Sequence, residues 1–148
     1  MTGKIHILYA DDDEIIRRII GGELAKCGFE IIYATDGNEA REMARRLRPD
    51  LVLLDYRIPV FDGLKVATYL KNEDPTKDIP VIILTNEDVS LEAQKIWKEM
   101  GVDAYIHKSA DFSELYLLIG KVLKAYGQKL PVVKQPGSRL PGAADNKL

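Results

Sequence analysis

Short apolar runs alternate with longer amphipathic stretches along most of the chain, and this alternation narrows the possible folds more than any other feature. The apolar runs are IHILYA (5–10), EIIYA (30–34), LVLLD (51–55), VIILT (81–85) and DAYIH (103–107). Their length predicts β-strands. Three of the runs are almost wholly apolar, which is typical of strands covered on both faces of a parallel sheet.

The stretches between the apolar runs carry hydrophobic residues at helical spacing. In EIIRRIIGGELAKCG, Ile16, Ile20 and Leu24 lie four positions apart, and Gly28 provides a C-terminal stop. The other stretches are NEAREMARRLR, DGLKVATYLKN, SLEAQKIWKEMG and DFSELYLLIGKVLKAYG. A strand–helix unit repeated five times predicts an α/β fold, with a parallel sheet, helices on both faces and right-handed crossovers.

Composition restricts the class of protein further. A chain of 148 residues, 46% apolar and 30% charged, suits one soluble domain with a single core. The formal net charge of -2 gives no sign of nucleic-acid binding. No apolar run approaches the ~20 residues that span a bilayer, and MTGKIHI lacks the apolar region of a signal peptide. The single cysteine, Cys27, excludes an internal disulfide, so we expect a cytoplasmic protein.

The segment after Gly127, QKLPVVKQPGSRLPGAADNKL, differs from the rest of the chain. It contains three prolines and two glycines and has little periodic pattern. We therefore predict a domain over residues 4–126 and a flexible tail or linker over residues 127–148. Because this segment is too short to form a further domain, such as a DNA-binding domain, we expect none in this chain. Whether the predicted domain acts alone or belongs to a longer protein is open.

Polar residues stand at the ends of four predicted strands. They are Asp11, Asp12 and Asp13 after the first strand, Asp55 at the end of the third, Thr85 at the end of the fourth and Lys108 after the fifth. Ligands of open α/β sheets bind beyond the carboxyl ends of the strands, so these groups share a pocket if the strands are neighbours. Clustered carboxylates suit Mg²⁺, and a carboxylate can also accept a phosphoryl group.

Five features in this order resemble the receiver domain of two-component response regulators, the CheY-like family. They are DD after the first strand, LLDYRIPVFDG (close to D-x-x-x-P-x-x-D-G), ILT, AYIHK and the five strand–helix units. The resemblance covers residues 4–126 and implies a flavodoxin-like sheet in the order 2-1-3-4-5. It also implies phosphorylation by a sensor histidine kinase or a histidine phosphotransfer protein, without classical enzyme activity beyond self-catalysed phosphotransfer and autodephosphorylation.

The resemblance assigns the metal and phosphoryl site residue by residue. Asp55 would be the phosphoacceptor. Mg²⁺ (or Mn²⁺) would be bound directly by Asp12 and Asp55, through water by Asp11, and by the backbone carbonyl of Arg57. Lys108 would pair with the phosphoryl group.

The resemblance also implies a conformational switch. Thr85 would move towards the phosphoryl group and Tyr105 would follow it. The face formed by the fourth helix, the fifth strand and the fifth helix would then change its affinity for an output protein. A homodimer is a further possibility, and we expect no direct contact with nucleic acid or membrane.

Two departures from the family pattern bear on the site. Ser109 stands where the family usually has a proline, and a cis bond before serine costs ~3–4 kcal/mol against ~0.5–1 kcal/mol before proline. Either this loop is trans and rearranged or its surroundings hold the strain, which leaves the reach of Lys108 open. Arg57 and Glu87 occupy variable positions beside the phosphoryl group. We predict that they face each other across the pocket mouth and slow attack by water on the phosphoaspartate.

Two alternative functions and some structural questions stay open at this point. A degenerate receiver would bind partners without phosphorylation. A phosphatase of the haloacid-dehalogenase type would use Asp11 as nucleophile and Asp13 as acid or base, but it leaves LLDYRIPVFDG unexplained. Asp13 is also predicted to begin a helix. The sequence leaves open the burial of Trp97 and the role of the adjacent glycines at 21–22.

Overall fold

The computed structural model describes residues 3–131, which fold into a five-stranded parallel sheet with helices on both faces. The strands are β1 (His6–Ala10), β2 (Glu30–Ala34), β3 (Leu51–Asp55), β4 (Val81–Thr85) and β5 (Ala104–His107). They alternate with α1 (Glu14–Lys26), α2 (Gly37–Leu47), α3 (Gly63–Lys71), α4 (Leu91–Glu99) and α5 (Phe112–Ala125). Each strand begins and ends within one residue of its predicted bounds.

The strands lie in the order β2–β1–β3–β4–β5 and all pairs are parallel. The predicted fold, including this order, is confirmed. Every residue of β3 and β4 is buried, which explains why these strands are almost wholly apolar. The edge strands β2 and β5 are partly exposed. Because β1, β3, β4 and β5 are neighbours, the polar residues at their carboxyl ends lie along one edge of the sheet.

Helices cover the sheet in two layers. α1 and α5 pack on one face, against alternate strand residues such as Leu51 and Leu53. α2, α3 and α4 cover the other face, against Val52 and Leu54. The alternation along β3 follows from the pleat of the strand. Burying each such aliphatic side chain contributes about 1.5–3 kcal/mol, so the two layers hold the strand ends in place.

Polar side chains cap the first four helices. Asp13 accepts hydrogen bonds from the backbone N–H groups of Ile15 and Ile16, at 3.0 and 3.1 Å, and so begins α1. The caps of α2, α3 and α4 are Asp36, Asp62 and Ser90. A cap of this kind contributes about 1 kcal/mol. The third aspartate of the run after β1 therefore has a structural role, as predicted.

The structure explains the first of the two adjacent glycines of α1, Gly21, but not the second, Gly22. A Cβ atom at Gly21 would overlap the phenol group of Tyr33 on β2, so a glycine permits α1 to pack closely on the sheet. A Cβ atom at Gly22 would have no atom of the described residues within 4 Å, and the structure does not explain this second glycine. Trp97 is only 9% exposed and belongs to the core.

The chain keeps contact with the domain beyond α5. The backbone N–H of Gln128 donates to the carbonyl of Leu123 at 2.9 Å, and its side-chain amide lies 3.3 Å from Asp50 Oδ1. Leu130 packs against Gly120. The predicted boundary after residue 126 stays a prediction, and residues 132–148 of the predicted tail lie outside the described residues. None of the helices within residues 3–131 has both the length and the apolar character needed to cross a bilayer.

Candidate functional site

Three aspartates meet at the carboxyl edge of the sheet, in a cleft of about 530 Å³. One carboxylate oxygen from each of Asp11, Asp12 and Asp55 lies within 4.8 Å of the other two. Asp11 and Asp55 are buried, whereas Asp12 is exposed. The sheet brings them together because β1 pairs with β3, with Ala10 opposite Leu54, so the residues that follow are neighbours.

Asp11 is held by hydrogen bonds at its backbone and at both carboxylate oxygens. Its N–H donates to the carbonyl of Ala34 at 3.1 Å, and its own carbonyl accepts from Nη1 of Arg17 at 2.8 Å. Oδ1 accepts from the N–H of Asp13 at 2.9 Å, and Oδ2 accepts from the hydroxyl of Tyr9 at 2.8 Å. The sequence analysis missed Tyr9 and Arg17. The available signal was a tyrosine two residues before the aspartate, on the same face of the strand.

Tyr9 is fully buried, and its phenol is a permanent donor at ordinary pH. Burial raises the pKa of Tyr9 well above its usual range, and the neighbouring charge of Asp11 raises it further. The phenol therefore stays protonated and donates to the Asp11 carboxylate. A hydrogen bond to an ionised acceptor is stronger than one between neutral groups.

Asp55 is a buried carboxylate in contact with a lysine from the next loop. Nζ of Lys108 lies 3.0 Å from Asp55 Oδ1, and the N–H of Arg57 donates to the same oxygen at 3.4 Å. Burial raises the pKa of Asp55, the hydrogen bond and charge of Lys108 oppose that rise, and the charge of Asp11 adds to it. The structure thus places the predicted phosphoacceptor and the predicted lysine in direct contact.

Thr85 ends β4 beside this ion pair. Its side chain is buried, and Oγ1 accepts a hydrogen bond from the N–H of Glu87 at 3.0 Å. The hydroxyl proton of Thr85 is therefore still available for donation to another acceptor. The carbonyl of Thr85 accepts from the N–H of Lys108 at 2.8 Å, which connects the loops after β4 and β5.

Tyr105 on β5 is connected to the site through aromatic contacts. Its ring lies edge-on to Trp97 of α4, with centroids 6.0 Å apart. The ring of Trp97 lies 5.1 Å from that of Tyr56, the residue after Asp55. This row of three rings was not predictable from the sequence, because Tyr56, Trp97 and Tyr105 are far apart along the chain.

The loop that carries Lys108 is trans, as are all peptide bonds of the described residues. Ser109, in the place of the family's proline, donates its backbone N–H to Nδ1 of His107 at 3.1 Å, and its Oγ lies 2.8 Å from the same nitrogen. Nε2 of His107 lies 2.9 Å from the carbonyl of Asn86, in the loop after β4. Of the two possibilities for this loop, the structure shows the trans form, and Lys108 still reaches Asp55.

Arg57 and Glu87 contact each other at the edge of the cleft. Nε and Nη2 of Arg57 both lie 2.6 Å from Glu87 Oε2. The guanidinium group also lies 4.8 Å from the centre of the Tyr56 ring. Both side chains are exposed, so water and salt screen the pair and it contributes little to stability.

The donor set of the cleft fits a hard divalent cation. Its side chains offer carboxylate oxygens, which Mg²⁺ prefers, rather than the thiolate or imidazole groups that softer metals select. Two of the three carboxylates are buried, and their mutual repulsion is offset in part by Lys108. A bound cation would offset the remaining repulsion, so the residues present suit the predicted magnesium site.

Comparison with known proteins identifies similar sequences. The profile of the family described as "Response regulator receiver domain" matches residues 7–120. The "Polar-differentiation response regulator DivK" of Brucella anthropi is 33% identical over 102 residues, which cover 69% of this chain and 82% of that protein. The "Phosphate regulon transcriptional regulatory protein PhoB" of Pseudomonas aeruginosa is 35% identical over 130 residues, covering 86% and 55%. This chain spans about half the length of several curated relatives that it matches, including PhoB.

Solved structures show the same fold. The chemotaxis response regulator CheY4 of Vibrio cholerae superimposes with a TM-score of 0.74 at 27% identity, covering 80% of this chain and 98% of that one. The receiver domain of the Francisella response regulator 1452 gives a TM-score of 0.75 at 28% identity, covering 82% and 98%. The described domain therefore has the same fold as these two solved structures.

Proposed function

The chain belongs to the response regulator receiver domain family, and on that premise we propose that it accepts a phosphoryl group on Asp55 in phosphorelay signalling. The donor would be the phosphohistidine of a sensor histidine kinase or a histidine phosphotransfer protein. The observation that carries the proposal is the contact between Asp55 and Lys108 beside the carboxylates of Asp11 and Asp12. This arrangement supports the proposal, because a carboxylate that could act as nucleophile lies beside a lysine and two further carboxylates that could bind a metal ion.

The residues of the cleft suit the transfer chemistry. A carboxylate oxygen of Asp55 would form a bond to phosphorus as the P–N bond of the donor breaks, and the electron pair of that bond would stay on the imidazole nitrogen. Lys108 and the hydroxyl proton of Thr85 would bind the phosphoryl oxygens.

A divalent cation would complete this site. Asp12, Asp55 and the backbone carbonyl of Arg57 would hold Mg²⁺ directly, and Asp11 would hold it through water. When bound, the ion supplies positive charge that stabilises the phosphoryl oxygens. Asp11 is held in place by its own hydrogen bonds, whereas the exposed Asp12 is free to adjust to the ion.

Phosphorylation would act on partners through α4, β5 and α5. Thr85 would turn towards the phosphoryl group and Tyr105 would follow it inwards. The side chains of Leu91 and Leu117 on α4 and α5 are more than half exposed, and a groove of about 540 Å³ lies between α4 and β5. Exposed apolar groups of this kind support binding of an output protein or a second copy of the chain.

The exposed pair of Arg57 and Glu87 would control how long the phosphoryl group persists. The two side chains lie across the edge of the cleft and would restrict the approach of water to phosphorylated Asp55. Turnover beyond self-catalysed transfer and hydrolysis is not part of the proposal. The reaction would take place in the cytoplasm, where kinase domains and ATP are found and where Cys27 would stay reduced.

The alternative functions are less well supported. In a degenerate receiver, part of the acid–threonine–lysine set would be missing or displaced, whereas here all of its members lie at one edge. In a phosphatase of the haloacid-dehalogenase type, Asp13 would be the acid or base. Its carboxylate instead caps α1, and the sequence profile places the chain in another family.

Phosphorylation by a small donor tests the proposal. The protein is incubated with Mg²⁺ and acetyl phosphate or phosphoramidate, and its intact mass is measured. We expect the wild type to gain one phosphoryl group and Asp55→Asn to gain none. Asp13→Asn is the matched control, since asparagine also caps helices and the variant should still be phosphorylated. The proposal is contradicted if the wild type gains no phosphoryl group from both donors, or if Asp55→Asn gains one.

A further inference from the structure

A buried tyrosine hydroxyl touches one of the aspartates of the cleft. Tyr9 is fully buried, and its ring lies in the apolar layer formed with α1 and α5. Its hydroxyl donates to Oδ2 of Asp11 at 2.8 Å, and this is the one side-chain hydrogen bond of Tyr9 within the described residues. A buried hydroxyl without a partner would be costly, and a phenylalanine would fill the same apolar space without that cost. Packing alone would be satisfied by phenylalanine, so what the hydroxyl adds is its hydrogen bond to Asp11.

The contacts of Asp11 leave its carboxylate with one orientation. Oδ1 is fixed by the N–H of Asp13 and Oδ2 by Tyr9. Each carboxylate oxygen can accept two hydrogen bonds, so each retains one acceptor position after these contacts. Those positions are the ones available to a cation or to its bound water. Asp12, which is exposed, has no comparable set of contacts among the described residues.

We propose that Tyr9 is a positioning residue, whose hydroxyl orients the Asp11 carboxylate towards the cleft and thereby sets the affinity of the aspartate cluster for a divalent cation. The proposal rests on the cation site of the proposed function. Partners that orient metal-binding groups typically change metal affinity 10- to 100-fold when they are removed. Without the hydroxyl, Asp11 can rotate or draw in a different donor, and the preformed cluster is lost.

The test is the affinity for Mg²⁺ alone, measured by isothermal titration calorimetry. We expect Tyr9→Phe to weaken Mg²⁺ binding by about tenfold, at the lower end of the effect of such partners. Tyr33→Phe is the matched control, because it removes the hydroxyl of the neighbouring ring, 6.4 Å away, and should leave the affinity unchanged. In an Asp11→Asn background, Tyr9→Phe should have little further effect, since its target is gone.

A purely structural role gives a different result. If Tyr9→Phe lowers the melting temperature of the metal-free protein but binds Mg²⁺ as the wild type does, the proposal is wrong. Should the variant not fold, the wild-type protein labelled at tyrosine Cζ is titrated with Mg²⁺ instead. The Tyr9 resonance is expected to shift, and an unchanged resonance contradicts the proposal.

Failure of this inference is distinguishable from failure of the proposed function. If the wild type binds Mg²⁺ and is phosphorylated on Asp55, but Tyr9→Phe has the same affinity, only the role of Tyr9 is wrong. If the wild type binds no Mg²⁺ and accepts no phosphoryl group, both are wrong.

Discussion

Asp12 is the exposed member of a crowded group of carboxylates, and its charge should act against folding when no cation is present. Its neighbours Asp11 and Asp55 are buried, and a carboxylate oxygen from each of the three lies within 4.8 Å of the others. Like charges at this separation repel, and a divalent cation reverses the sign of the interaction. The same residue is thus expected to be unfavourable in the metal-free protein and favourable in the metal-bound protein.

This opposition predicts the behaviour of Asp12→Asn. Mg²⁺ at one hundred times its dissociation constant should stabilise the wild type by about 2.7 kcal/mol. We expect Asp12→Asn to have a higher melting temperature than the wild type without metal, and to lose most of the rise that Mg²⁺ produces. Differential scanning calorimetry with and without Mg²⁺ measures both effects. Glu14→Gln, which removes a nearby charge outside the cluster, serves as control. An Asp12→Asn variant stabilised by Mg²⁺ as much as the wild type would contradict the assignment.

Val60 shows strain at a single residue. It follows Pro59 in the loop between β3 and α3, has a φ of 73° and is 68% exposed. The N–H of Phe61 donates to the carbonyl of Pro59 at 2.9 Å, so Val60 is the central residue of a γ-turn. Such turns with a positive φ are rare and strained, and a β-branched residue seldom adopts a positive φ. The exposed side chain gains little from packing in return.

We therefore expect Val60→Asn to stabilise the protein, since asparagine tolerates a positive φ better than valine does. The gain should be up to about 1 kcal/mol in urea denaturation, at the lower end of the cost of a strained backbone conformation. Val60→Thr keeps the branched Cβ and should leave the stability near that of the wild type. Equal stability of all three proteins would show that the loop relaxes to another conformation.

At the level of the elements, the two adjacent glycines of α1 differ in their surroundings. Gly21 faces β2, where a Cβ would overlap the phenol group of Tyr33, whereas Gly22 faces open space. Both are unfavourable in a helix interior, by about 1 kcal/mol relative to alanine. The intrinsic preference of the helix and the packing of α1 on the sheet therefore oppose each other at Gly21 only.

The pair provides its own control. We expect Gly22→Ala to raise the free energy of unfolding by about 0.5–1 kcal/mol. Gly21→Ala should lower it, because the helix or the Tyr33 ring must move to admit the methyl group. Urea denaturation of the two variants beside the wild type measures both changes. A stabilised Gly21→Ala variant would mean that Tyr33, which is 40% exposed, swings aside without cost.

The elements themselves were predictable because the physical cause of each is local in sequence. Strands buried on both faces, such as β3 and β4, must be continuous apolar runs, and the helices need one apolar stripe. Contacts between distant residues leave no such pattern. The hydrogen bond between His107 and Asn86 and the packing of Leu130 on Gly120 depend on how the elements meet, so neither was predictable from the sequence.

One edge of the sheet brings together residues that are far apart in the chain. Parallel strands all end at the same edge, so a single topological rule brings Asp11, Asp55, Thr85 and Lys108 together. This is why the proximity of these residues could be predicted from their order along the chain. The finer arrangement around it, including the hydroxyl of Tyr9 on Asp11, required the packed core and could not be read from the strands alone.

The row of rings formed by Tyr56, Trp97 and Tyr105 connects this edge to the groove beside α4. Neighbouring centroids lie 5.1 and 6.0 Å apart, and Trp97 lines the groove with Tyr105. Trp97 is the only tryptophan of the chain, so its fluorescence reports on this region alone. A phosphoryl group on Asp55 that displaces Tyr56 or Tyr105 must change the surroundings of the indole ring.

We therefore expect the emission of Trp97 to change in intensity or wavelength when the protein is phosphorylated by acetyl phosphate in the presence of Mg²⁺. Asp55→Asn should show no such change, and Mg²⁺ alone should change the emission of the wild type much less. Tyr105→Leu removes one ring of the row and should weaken the response while leaving the phosphoryl adduct detectable by mass. If the wild type is fully phosphorylated but its emission stays constant, the α4 region does not respond to Asp55, and the proposed route from the site to the α4–β5–α5 face is wrong.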